Sequence, residues 1–165
     1  MPYTLSDLNS FDHPRFVDAL GWIFEGSPWV AERAWFARPF ADLEALFGAM
    51  KAAVEAAQPE EQLALLRAHP DLGARARISA ASTEEQTAAG LNHLTSEEFE
   101  RLQRLNSAYR NRFDFPFLFA VKGSTKYDVL DALERRLNAA PDEEFHEALR
   151  QVFRIAEFRL KDTVE

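Results

Sequence analysis

The sequence predicts an all-α protein: one compact domain, residues 1–165, of about seven to nine helices with a single buried, extended, phenylalanine-rich segment. Three observations carry this. Apolar residues recur at three- and four-residue spacing in run after run, as the inner face of an amphipathic helix requires. Proline, glycine and S/T-x-x-E signals open and close those runs. Only FPFLFAV, residues 115–121, favours a strand, and no second run offers its backbone groups a partner.

In chain order, residues 5–11 read as a short lead-in. Pro14 can start a helix through Phe16, Leu20, Ile23 and Phe24, which Gly26 ends. Ser27-Pro28-Trp29 joins a capping serine to proline at the first helical position and opens WVAERAWF, which Pro39 interrupts. From Ala41 the positions of Leu43, Leu46, Phe47, Met50 and Val54 mark an amphipathic helix to about Ala57. Pro59 then opens PEEQLALLRA. Pro70 disfavours helix in the residue before it, so His69 falls at or beyond that helix's end with its imidazole in a loop.

Ser82 and Glu85 fit a capping box, which would leave Gln86 and nearby N–H groups at the positive end of a helix closing near Gly90. Thr95 and Glu98 form another box. Phe99, Leu102, Tyr109 and Phe113 line one face of the helix behind it, and Asn106 interrupts that stripe. A buried amide is costly unless hydrogen-bonded, so Asn106 is expected to hold a neighbouring loop. Beyond Lys122-Gly123, a helix from Ser124 carries Val129, Leu130, Leu133 and Leu137 to about Asn138, and Pro141 starts a last helix to about Val164.

Composition narrows the function classes. With 47% apolar residues the chain can bury a proper core. A formal charge of −8 argues against nucleic-acid and anionic-membrane surfaces, so an anionic small molecule would need a local arginine. The absence of cysteine excludes disulfides, thiolate nucleophiles and Cys-ligated zinc. No apolar run approaches membrane-spanning length, the N-terminal MPYTLSDLNSFD lacks a signal-peptide core, and Thr-Val-Glu at the other end is no peroxisomal address. These features lead us to expect a cytoplasmic protein. His13, His93 and His146 share no ligand spacing with His69 or each other, so no metal site is expected.

Two places hold candidate chemistry. Residues 68–91 set His69, Pro70 and Asp71 just past one helix and Ser-Thr-Glu-Glu-Gln at the start of the next, ingredients for proton transfer and anion binding. His69 could equally be a core or capping histidine, and Glu85 could simply cap its helix. In the last helix, Arg159 falls near the centre of the arc shared by Phe145, Ala148, Leu149, Val152, Ile155 and Ala156. An inward guanidinium requires a carboxylate partner or an anionic ligand. Phe158 points outward with the charged residues, which suggests a subunit interface. Residues 117–121 could form a pocket wall or ordinary core.

SPWVAERAW, HPDLG, S-x-x-EQTAAGL, LNSAYRNRF-x-FPFLFAVKG and AEFRLKDTV occur in the order and spacing of one family. Across nearly its whole length the chain resembles the OHCU decarboxylases, which act on 2-oxo-4-hydroxy-4-carboxy-5-ureidoimidazoline in urate breakdown. The resemblance implies an all-α, cofactor-free carboxy-lyase that yields (S)-allantoin, usually as a homodimer. It implies that His69 is the catalytic histidine with Glu85 the second essential group. Pro70, the run Ser82, Thr83, Glu84 and Gln86, the segment Phe117, Leu118, Phe119, Ala120 and Val121, and Arg159 correspond to the substrate-binding positions. One departure is visible: Asp114 stands where the family usually has glycine, so the turn there should have positive φ. The rival readings are a noncatalytic helical interaction domain and a decarboxylase of a related ureide acid.

Overall fold

The computed structural model describes residues 2–73 and 80–165, and these form helices wherever the sequence supplies caps and an apolar stripe. They gather into two compact units, Met1–Ala68 with Phe153–Glu165, and His69–Val152. Among the described residues there is no strand, only an isolated bridge between Tyr3 and Val164.

The first unit opens with α1 (Leu5–Ser10), a helix where the sequence suggests only a lead-in. Thr4 Oγ1 accepts from the Asp7 N–H while the Asp7 carboxylate accepts from the Thr4 N–H, a capping box with aspartate in place of glutamate. In α2 (His13–Leu20) Asp12 caps the start and Pro14 sits in the first turn. This helix stops well short of Gly26. Gly21 follows its last residue, the Ile23 N–H turns back to the Leu20 carbonyl, and Ile23 and Phe24 enter the core from an irregular turn.

α3 (Trp29–Ala34) also differs in detail: Pro28 is its N-cap, and the Ser27 hydroxyl donates to the Glu25 carbonyl instead of capping. A 3-10 turn (Trp35–Ala37) leads to the cis Arg38-Pro39 peptide. α4 (Leu43–Glu55), capped by Asp42, packs on α3, which packs on α2. α5 (Pro59–Arg67) ends at Ala68, with proline at its first position as predicted. The chain's last residues return to its beginning, where the Tyr3 N–H donates to the Thr163 carbonyl and the Glu165 N–H to the Tyr3 carbonyl, each at 2.8 Å.

The second unit holds α6 (Ala80–Ala88), α7 (Ser96–Phe113), α8 (Lys126–Arg136) and the first half of α9 (Pro141–Thr163). α6 begins at least two residues before Ser82, because Ala80 and Ala81, the best helix formers, extend it. Ser82 therefore lies inside the helix and is not its cap. Gly90, at φ +83°, closes α6, with the Leu91 N–H on the Gln86 carbonyl and the Gly90 N–H on the Thr87 carbonyl, both at 3.0 Å. The Thr95–Glu98 box starts α7 as predicted, and Asp114 ends it in the left-handed region at φ 67°, the conformation expected where the family prefers glycine. Thr125 and Asp128 cap α8.

Residues 115–121 are neither helix nor strand, and all but the half-buried Phe119 are buried. Their main-chain groups are met by side chains: Arg136 Nη1 donates to the Leu118 carbonyl at 2.6 Å, and the Ala120 N–H donates to Gln151 Oε1 at 2.9 Å. Arg136 is fixed in turn by Glu144, whose Oε1 accepts from Arg136 Nε at 2.7 Å and from the Tyr109 hydroxyl at 2.5 Å. All three are buried, and Tyr109 also packs against the rings of Phe113, Phe115 and Phe117.

Burial, reinforced by the Glu144 carboxylate, pushes the Tyr109 hydroxyl well above its ordinary value of 10.0. A group whose proton is held more tightly when folded contributes fully below its unfolded value and loses that contribution as pH rises past it. We expect Tyr109→Phe to cost about 1–3 kcal/mol at neutral pH, since Glu144 loses a donor in the interior. The gap to wild type should narrow above about pH 10 in urea unfolding. A gap that stays constant to higher pH would contradict the assignment.

Candidate active site

The site residues of the second unit are built around the loop that follows α5. Ala68, with helical backbone, is the C-cap, and His69 comes next, only 6% exposed, with Pro70 half-buried beside it. The sequence argument from Pro70 thus locates His69 correctly just beyond a helix end.

Three tethers hold the loop that carries His69. Asp71 pairs with Arg110 at 3.1 Å, the Leu72 carbonyl accepts from Asn106 Nδ2 at 3.0 Å, and the Gly73 N–H donates to Gln86 Oε1 at 2.8 Å. The first two come from α7, where Leu102, Asn106 and Arg110 follow one another at four-residue intervals along one face. Leu102 completes the track: a Cβ on Gly73, which sits at φ +73°, would lie 2.3 Å from Leu102 Cδ2. Glycine is needed there for both conformation and space. Asn106 holds a loop, as its place in the apolar stripe predicts, and that loop is the one bearing His69. Its other amide atom, Oδ1, is buried without a partner among the described residues.

α6 contributes an inward face. Ser82 and Gln86, one turn apart, are buried; Glu85 is half-buried at the flank; Thr83 and Glu84 are exposed. Gln86 does not lie at the positive end of the helix, since α6 starts earlier than the capping-box reading requires. Its side-chain amide, not its N–H, makes the bond to the His69 loop. Residues 117–121, held by Arg136 and Gln151, belong to the same unit.

Arg159 lies in the other unit, 4% exposed, which bears out the wheel argument that it turns inward. Of the two partners that argument allows, a carboxylate is present. Arg159 Nη2 is 3.0 Å from Glu25 Oε2, and Nη1 donates to the carbonyls of Trp22 and Ile23 at 3.2 and 3.3 Å. Sequence reasoning missed Glu25, whose signal was an acidic residue set between the core residues Ile23 and Phe24 and the turn at Gly26. Phe158 is half-buried on the flank of α9, not fully outward.

His13 packs edge-on to Trp35, with Nε2 3.0 Å from the Glu32 carbonyl, and His93 and His146 are exposed. Among the described residues no group of three or more His, Asp or Glu gathers as a metal site would require. Nor is any helix among them long and apolar enough to cross a membrane.

The tethers make a mechanical prediction. Asn106→Ala strips the Leu72 carbonyl of its donor and should cost about 1–3 kcal/mol in urea unfolding, with faster amide exchange at residues 71–73. Gly73→Ala should cost at least about 1–2 kcal/mol from its backbone conformation alone. Unchanged exchange in the Asn106 variant would show that the loop does not depend on α7.

Comparison with known proteins identifies the family. The chain matches the family model for OHCU decarboxylase over residues 9–161. A 2-oxo-4-hydroxy-4-carboxy-5-ureidoimidazoline decarboxylase of Haloferax volcanii is 50% identical over 159 residues, covering 96% of this chain and 95% of that protein. A uric acid degradation bifunctional protein of Bacillus subtilis is 45% identical over 162 residues, 98% of this chain and 33% of that protein. The crystal structure of an (S)-allantoin synthase is similar at a TM-score of 0.81 and 36% identity, covering 99% of this chain and 54% of that one. The motifs, the fold and the near-full-length match agree, and the chain belongs to the OHCU decarboxylase family.

Proposed function

We propose that this protein decarboxylates 2-oxo-4-hydroxy-4-carboxy-5-ureidoimidazoline to (S)-allantoin in urate degradation, with His69 as the group that moves the proton. The observation that carries the assignment of His69 is its setting: a buried imidazole at a helix end, on a loop pinned by Asp71–Arg110, Leu72–Asn106 and Gly73–Gln86. Proton transfer rewards such fixed placement. The near-full-length relative of that name supports the choice of substrate.

The substrate explains why the reaction needs no cofactor. Its C4 bears the hydroxyl and the carboxylate and adjoins a C5=N bond. As the C4–carboxylate bond breaks, its electron pair forms C4=C5 while the C5=N pair moves onto nitrogen, which takes up a proton, and CO2 leaves. The resulting enol gains a proton at C5 and loses one from the C4 hydroxyl, giving the ketone of allantoin. Proton transfer and choice of face remain for the protein. His69 exchanges the proton with the C4 hydroxyl and developing enol, and protonation of one face sets the S configuration.

Glu85 orients His69 or holds the ureido N–H groups. Ser82 and Gln86 hold the ring's amide edges, with Pro70 beside them, main-chain groups of Thr83 and Glu84 nearby, and residues 117–121 around the ring. Arg159, already neutralised in part by Glu25, suits a ring carbonyl better than the substrate carboxylate. A tight grip on the carboxylate would stabilise the ground state and slow CO2 loss.

In this reading the protein is a cytoplasmic homodimer. Exposed Phe36, at 75%, and Tyr127, at 61%, are surfaces that a second copy could cover. Sedimentation should give twice the 18.8 kDa chain mass, and a monomer at assay concentration would remove the dimer from the reading.

His69→Ala and His69→Asn should abolish enzymatic formation of (S)-allantoin from freshly made substrate, followed by circular dichroism, while thermal melting stays near wild type. Wild-type rates in either variant would refute the assignment.

A further inference from the structure

We propose that Gln151 and Arg136 are positioning residues for this reaction: they grip one edge of the buried 117–121 segment so that the Phe119 peptide groups on its other edge stand fixed toward the substrate. The inference rests on the decarboxylase reading above. Arg136 takes the Leu118 carbonyl at 2.6 Å and Gln151 takes the Ala120 N–H at 2.9 Å. The rings of Phe117 and Phe119 stack at 6.0 Å and 18°, so side chains two apart share a face, as they do in extended backbone.

In such backbone the N–H and C=O of one residue share an edge and those of the next point the opposite way. The edge of Leu118 and Ala120 is therefore occupied by protein. The Phe119 N–H and carbonyl face away from it, and neither has a partner among the described residues. An open main-chain donor and acceptor in a buried segment are uncommon in proteins. Together they match the edge of a ureide or lactam, which carries an N–H and a C=O side by side.

The gripping side chains are themselves anchored. Arg136 and Gln151 are 7% and 6% exposed. Glu144 fixes Arg136, and Glu147 Oε1 accepts from Gln151 Nε2 at 2.9 Å. A buried glutamine costs more than an apolar residue of its size unless both ends of its amide are used. Here one end sets Ala120 and the other sets the glutamine. Main-chain contacts to the substrate ring are made before and during bond cleavage, so loosening them should act on KM more than on kcat.

The test is steady-state kinetics on freshly generated substrate, with calorimetric binding of (S)-allantoin, for three variants. Gln151→Leu should raise KM and weaken allantoin binding about tenfold, the scale of one hydrogen bond. The double variant Glu147→Gln/Gln151→Glu should bring KM back near wild type, because the carboxylate at 151 accepts from both the Ala120 N–H and the amide at 147. Val129→Ala, which opens a cavity in the α8 core face, should lower the melting temperature without moving KM. If the leucine variant does not fold, Gln151→Asn, one methylene short, should show the same rise. A wild-type KM at position 151, or an equal rise in the Val129 variant, would overturn the positioning role. A wild type that makes no (S)-allantoin beyond spontaneous decay overturns the decarboxylase reading itself, before any variant is compared.

Discussion

Main-chain polar groups that are buried outside regular structure must still be paired, and that requirement governs the second unit. Two stretches impose it, the 69–73 loop and the 115–121 segment. No strand among the described residues can serve them, so helices supply side chains instead. Asn106 and Gln86 serve the loop, and Arg136 and Gln151 serve the segment. Polar residues interrupt the apolar stripes of α6, α7, α8 and α9 at these points, and each interruption answers one peptide group. The cost of burying them is set by the backbone they complete.

The two buried arginines follow a common pattern in different units. Arg136 divides its guanidinium between Glu144 and the Leu118 carbonyl; Arg159 divides its own between Glu25 and the carbonyls of Trp22 and Ile23. In each case the carboxylate offsets the charge and the remaining N–H groups fasten an irregular stretch of chain. Lysine could not do both, because the planar fork fixes two directions at once. Such pairs add little net stability over a well-packed apolar core, and their contribution here is placement.

Much of the fold was legible because its boundaries are written locally. Pro59 and Pro141 at helix starts, the Thr95–Glu98 box as a cap, and Pro70 after His69 act within a few residues and need no knowledge of the tertiary structure. Errors arose where a local signal had a near neighbour. Thr4 with Asp7 escaped notice because aspartate takes the place of glutamate, and Ser82 was misplaced as a cap because two alanines precede it. Among the candidate residues, the inward turn of Arg159 and the loop-holding role of Asn106 followed from their places in apolar stripes. Their partners did not: Arg159 meets Trp22 across 137 positions, and no periodicity reports such a pairing. The family resemblance pointed to the positive φ at Asp114, which spacing alone could not assign.

The track of Leu102, Asn106 and Arg110 beneath the 69–73 loop also limits how this chain can drift in length. One residue inserted between Leu102 and Arg110 would turn the far contact by about 100° around α7 and leave either Gly73 or Asp71 facing the wrong side chain. Descendants of this sequence can gain or lose residues at the ends of α7 or in the turns beyond it, but this stretch must be inherited at constant length.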